Sequence, residues 1–256
     1  MKIYPINTGH CIGAANIALA GWKKKKMRFL ARAFLISSEK YGNILFDSGY
    51  GPAYKEHVPP FYDWLLPPNI SPDQNVTKGL AEHGFSLLDI DYIFISHFHV
   101  DHISGLKDLP NIPWIYRADA LQNLLSMNKL KAYKHGFIKE LLPSIPEGSI
   151  AISSGDFNSP FHNSELKCAP NLDPQLLIVD LPGHALGQMG LCIEDTFFVA
   201  DAAWSYESLH HNILPSKLGL FLQHDNHAYI NTFEQLQVVL QANNIDCIPT
   251  HTMEPL

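Results

Sequence analysis

His97-Phe98-His99-Val100-Asp101-His102 puts three imidazoles and one carboxylate into six consecutive residues, directly after the apolar run Ile90 to Ile95. Imidazole nitrogen and carboxylate oxygen suit zinc and other first-row divalent ions, and so dense a set rarely serves packing. An extended strand over residues 91–96 has a side-chain period of two, so His97 and His99 leave its end on one side and can grip one ion. Asp101 and His102 need a different direction. A turn from the strand into a helix supplies it, and the second pair can then hold a second ion beside the first. The hexapeptide points to a metal-dependent hydrolytic centre.

Two ions need more ligands, and three other places offer them in the same setting. Residues 176–180 read as a buried strand running into Leu181-Pro182-Gly183-His184, whose restricted backbone fixes a histidine at the strand end. The apolar run 196–200 ends in Asp201, and the run 245–248 is followed by Pro249-Thr250-His251. Each ligand-type side chain stands just past the carboxyl end of a core strand, where open α/β sheets place their sites.

The succession His-x-His-x-Asp-His, Ile103-Ser104-Gly105, Gly183-His184, Asp201 and a final His251 resembles the metallo-β-lactamase fold superfamily. Asn43-Ile44-Leu45-Phe46-Asp47-Ser48-Gly49 is similar to that superfamily's early strand ending in Asp-x-Gly. The resemblance implies an αβ/βα four-layer sandwich of two mixed β-sheets with helices outside. It implies that His97, His99 and His184 bind one metal and Asp101, His102 and His251 the other, with Asp201 bridging. Asp47 is then expected behind them, accepting a hydrogen bond from a ligand imidazole and fixing its tautomer. The expected cofactors are two divalent ions, zinc first, with iron or manganese also meeting the ligand chemistry.

Periodicity alone gives mixed α/β. Strands are predicted over 29–36, 43–46, 91–96, 113–116, 176–180, 190–193, 196–200 and 245–248, and helices over 74–82, 118–126, 136–142 and 232–242. The 256 residues, 46% hydrophobic and 17% charged, fit one hydrolase domain over residues 1–256. No linker, repeat, secretory signal or long apolar span is apparent. Cys11, Cys168, Cys192 and Cys247 lack metal spacing and read as reduced thiols of a cytoplasmic protein.

A net charge of −7 argues against a nucleic-acid partner. No membrane partner is expected, and Lys23 to Lys26 read as a solvated hairpin tip, the other reading being a contact with an anionic substrate or partner. The stretches Pro52 to Pro68 and Trp204 to Leu222 are too apolar for plain loops. The first is read as a lid or partner surface, and the two together as walls of an apolar channel, the other reading being packing or a homodimer contact. His224 and His227 are the remaining histidines best placed to fold over the site.

Within the superfamily the chain is similar to the N-acyl homoserine lactonase group, which implies quorum-quenching chemistry on a small apolar or amphiphilic ester or lactone. That group places a tyrosine three residues after the bridging Asp. Here the position holds Trp204, and Tyr206 is the nearby hydroxyl offered in its place. The expected reaction uses a hydroxide held between two ions as nucleophile, with Asp101 or Tyr206 handing a proton to the leaving oxygen. The alternatives are a thioester hydrolase of glyoxalase II type, a phosphodiesterase, or an iron-dependent oxygenase.

Overall fold

A computed structural model describes residues 1–60, 67–173, 175–242 and 245–255. They fall into two compact units, Met1–Ile12 with Phe29–Ile152 and Gly13–Arg28 with Ser153–Leu256. The strands, in chain order, are β1 (Lys2–Ala14), β2 (Lys26–Ser38), β3 (Gly42–Phe46), β4 (Pro68–Asn69), β5 (Tyr92–Phe94), β6 (Trp114–Arg117), β7 (Ile150–Ile152), β8 (Ser159–Pro160), β9 (Lys167–Asp173), β10 (Leu176–Asp180), β11 (Met189–Ile193), β12 (Thr196–Ala200), β13 (Asp246–Pro249) and β14 (Thr252–Pro255).

The first unit is built on a mixed sheet in the order β4-β1-β2-β3-β5-β6-β7. β3 runs antiparallel to β2 and parallel to β5, with Phe34 opposite Phe46 and Phe46 opposite Phe94. The Phe46 and Phe94 rings stack at 5.2 Å, and Phe34 meets Phe46 edge-on at 6.5 Å. This row of buried phenylalanines locks the register of three strands. The same register sets the positions of Asp47, directly after Phe46, and of Ser96, two residues beyond Phe94. The Asp47 N–H donates to the Phe94 carbonyl at 2.8 Å, carrying the ladder one residue past β3.

The second unit holds the sheet β13-β12-β11-β10-β9-β8, in which β12 and β13 are parallel and the other pairs antiparallel. Since β11 opposes both neighbours, β10 points the same way as β12 and β13. His184, Asp201 and His251 therefore come just after the carboxyl ends of three co-directional strands at one edge of this sheet. The core beside it includes Phe197 and Val199 from β12, Leu181 just after β10, and Phe233, Leu236 and Val239 from the helix Asn226–Ala242, spaced for one helical face.

That helix starts six residues earlier than its periodicity predicts. Asp225 caps it, its Oδ1 accepting from the N–H groups of His227 and Ala228 at 3.0 Å each. The helix predicted over 136–142 is not formed. Lys129–Lys134 is helical instead, Gly136 ends it at φ 63°, and only Lys139–Leu141 makes a 3₁₀ turn. Phe137, Ile138 and Leu141 supplied the apolar spacing, and all three are buried, the first two from irregular backbone and Leu141 from the 3₁₀ turn. Part of the proposed lid, residues 61–66, lies outside the described residues. Of the proposed channel wall, Leu218, Phe221 and Leu222 face solvent and wall nothing enclosed. Among the described residues no helix is long and apolar enough to cross a membrane.

Candidate metal centre

In the first unit the chain leaves β5 extended through His97 and His99, then turns into the short helix Val100–Ile103, for which His99 is the N-cap residue. The strand-to-helix switch divides the hexapeptide as its spacing suggests. His97 and His99 come from extended backbone, and Asp101 and His102 from the first helical turn. His97 and His102 are fully buried, with ring centroids 3.9 Å apart, and the His97 and His99 rings meet edge-on at 4.4 Å. One ligand atom each of His97 and His99, and of His97 and His102, lie within 4.8 Å of one another. Asp101 is half-buried, its Oδ2 3.7 Å from His102 Nε2.

Behind these rings lies Asp47, fully buried and in left-handed backbone at φ 59°. Aspartate is among the few residues that tolerate this conformation. His102 Nδ1 lies 2.7 Å from Asp47 Oδ2, so the ring donates its Nδ1 proton to the carboxylate. The Ser96 hydroxyl also donates to Asp47 Oδ2, at 2.8 Å, and its oxygen is then left to accept from His97 Nδ1 at 3.0 Å. Both imidazoles are thereby held in the tautomer whose Nε2 carries a lone pair, the state a metal ligand requires. Ser96, which holds His97, is a residue that sequence reasoning missed.

In the second unit Gln223 plays the corresponding part. Its Nε2 donates to the Gly219 carbonyl at 3.0 Å, which fixes the amide so that Oε1 faces His184. His184 Nδ1, 2.7 Å away, must donate to that oxygen, and His184 Nε2 keeps its lone pair. That nitrogen lies 3.4 Å from Asp201 Oδ2, and His251 Nε2 lies 3.2 Å from the same oxygen. A lone pair facing a carboxylate at this distance is repulsive unless positive charge stands with them. A divalent cation supplies that charge, so this donor set fits one.

Local strain positions these groups. Gly183, at φ 127°, packs so closely that a Cβ there would overlap the Tyr229 backbone. The backbone N–H groups of His224 and Asp225 donate to the carbonyls of His184 and Gly183, at 3.1 and 2.9 Å. The segment expected to fold over the site does so, but through its backbone and through Gln223. The His224 and His227 side chains are exposed. Ala200, at φ 48°, accompanies a register slip between β12 and β13 beside Asp201. Burial, with the Asp201 charge as a lesser cause, pushes the Tyr229 phenol far above its usual range and keeps it neutral.

Trp204 meets the His184 ring edge-on at 6.2 Å. Tyr206 is half-buried on the helix Tyr206–His210 and stacks with His210 at 6.1 Å. The Trp204 indole is thus an aromatic neighbour of His184. Gln223 was missed in the sequence because an amide is not a ligand type, and nothing in its spacing marks it.

Residues 29–120 match the model of the metallo-beta-lactamase superfamily. The N-acyl homoserine lactonase AiiA of Bacillus thuringiensis subsp. kurstaki is 22% identical over 224 residues, covering 83% of this chain and 80% of its own. A metallo-beta-lactamase fold-containing protein of Sulfurisphaera tokodaii is 29% identical over 147 residues, 52% of each chain. Among solved structures, an N-acyl homoserine lactone hydrolase with the product N-hexanoyl-L-homoserine at its catalytic metal centre superposes with a TM-score of 0.72 at 18% identity. That match covers 98% of this chain and 93% of the other. A dizinc quorum-quenching lactonase, AidC, gives 0.64 at 16%, over 98% and 87%. The two mixed sheets with their helices are the α/β fold of these neighbours.

Proposed function

We propose that the protein, whose residues 29–120 match the metallo-beta-lactamase superfamily model, is a dinuclear metal-dependent hydrolase that opens the ester bond of a small amphiphilic lactone. N-acyl homoserine lactones are the first candidates. His97, His99 and His184 would hold one ion and Asp101, His102 and His251 the other, with Asp201 shared between them. The observation that carries this reading is the set of tautomer-fixing bonds: Asp47 to His102, Ser96 to His97, and Gln223 to His184. A packing histidine has no need of an Nδ1 acceptor that leaves its Nε2 lone pair pointing elsewhere.

When bound, two divalent ions supply a water that ionises near neutral pH and a Lewis acid for the carbonyl. The chain's own residues do the rest. Asp101, the half-buried carboxylate of the hexapeptide, would take up the proton that the attacking water gives up and pass it to the leaving alkoxide. Trp204 gives the acyl portion an apolar contact beside His184, where the lactonase group carries a tyrosine. Tyr206 is the alternative proton donor.

The test is a pH-stat assay of metal-loaded protein on acyl homoserine lactones, simple lactones, aryl esters and a thioester, with metal content measured on the same sample. Proton release on lactones with about two metals per chain is expected. Turnover of the thioester alone moves the assignment to the glyoxalase II type, and a protein holding no metal overturns it.

A further inference from the structure

We propose that the second unit carries a docking surface for an anionic lipid bilayer, made by Lys23 to Lys26 and by Leu218, Phe221 and Leu222. This inference is independent of the hydrolase reading. Four consecutive lysines are unusual in a chain of net charge −7, and all four are exposed. They stand beside an apolar face. Leu218, Phe221 and Leu222 are spaced i, i+3, i+4 on and just after the helix Lys217–Phe221, at 57%, 80% and 59% exposure. Single exposed apolar side chains need no explanation, but three on one helical face, with Trp22 also exposed in the same unit, form a patch.

Backbone bonds hold the two features together. Ser216 N–H donates to the Ile17 carbonyl at 2.9 Å, and Ala20 N–H to the Leu214 carbonyl at 3.0 Å. Gly219 packs so tightly on Ile17 that a Cβ would lie 2.5 Å from its carbonyl oxygen. Ala15 N–H donates to Lys25 O at 2.9 Å, which closes the excursion and ties the lysine run to its base. Lys23 starts three residues after Ala20, roughly 11 Å of extended chain at most. The lysines are therefore tethered next to the helix that presents the leucines and Phe221.

Charge complementarity selects the occupant. Lysines near an anionic bilayer gain attraction, while Phe, Leu and Trp side chains enter the headgroup and acyl boundary. A second copy of this chain is a poorer match, because a two-fold contact centred on Phe221 brings two lysine runs together. The contact is peripheral, since among the described residues no helix can span a bilayer.

The test is cosedimentation with phosphatidylcholine vesicles made with and without phosphatidylglycerol, at low and high salt. Binding only to the anionic vesicles, weakened by salt, is expected. Replacing all four lysines by Gln, and separately Phe221→Ser, should each lower partitioning roughly tenfold or more. Both variants should keep wild-type metal content and thermal unfolding. Wild-type protein left in the supernatant with anionic vesicles overturns the proposal, as does binding at the wild-type level by either variant. So does a dimer that Phe221→Ser dissolves in a protein that ignores vesicles.

Discussion

Gln223 and His184 lie 39 residues apart in the chain and are joined by a 2.7 Å hydrogen bond, amide oxygen to imidazole Nδ1. The bond decides which nitrogen of His184 is available to a cation. Gln223→Leu removes the acceptor while keeping the bulk, and should lower metal content and turnover by about 10- to 100-fold. Gln223→Glu restores an acceptor and should recover most of both. Metal analysis beside initial rates separates the two cases, and a Leu variant with full metal content would remove Gln223 from the site.

Asp47 serves two histidines at once. Asp47→Asn keeps a residue that tolerates left-handed backbone but leaves one oxygen to meet His102, Ser96 Oγ and Ser96 N–H. Turnover should fall by roughly 10- to 100-fold. Unfolding should shift much less than in Asp47→Ala, where the buried donors lose their acceptor altogether. Denaturant midpoints and rates measured on both variants check the contrast.

At Gly183 the expected loss is structural. Gly183→Ala places a methyl group into the Tyr229 backbone at a φ that L-residues avoid, and should destabilise by roughly 3 kcal/mol or more. Gly136→Ala differs in kind. Its Cβ would lie 2.6 Å from His99 Cδ2, so the ring must move, and turnover should fall more than the thermal midpoint does.

The buried thiols set an alkaline limit. Burial, followed by the Asp195 charge and Cys168, pushes Cys192 from an ordinary 9.0 up to about 12, and burial moves Cys247 in the same direction. An unfolded chain ionises these thiols first. Their contribution to stability is therefore full below about pH 9 and is lost as pH rises toward 12. Unfolding midpoints from pH 8 to 11 should fall across that window, and a thiol reagent should reach Cys192 only after denaturation.

Much of this was legible because strand ends announce themselves. β10 and β12 coincide with the apolar runs that reveal them, and each is followed by a residue with ligand chemistry. The helix Ala118–Ser126 likewise matches its spacing. β1 was not legible: Lys2–Ala14 mixes Asn, Thr, Gly and His into a thirteen-residue strand with no clean alternation. The stretch after Gly136 misled for the opposite reason, since buried Phe137, Ile138 and Leu141 mimic the spacing of an α-helical face without forming an α-helix. Within the site, ligand types are conspicuous, whereas Ser96 and Gln223 act through ordinary hydrogen bonds that only tertiary structure brings about.

The unequal backing of His97 and His102 makes the two rings electronically different. His102 faces the Asp47 carboxylate directly, and His97 reaches the same oxygen only through the Ser96 hydroxyl. A ring pulled toward a carboxylate takes on imidazolate character and donates electron density more strongly than one resting on a neutral hydroxyl. The first unit is therefore asymmetric before any ion arrives, with the harder-pushing nitrogen on the helical side of the hexapeptide and the softer one on the strand side.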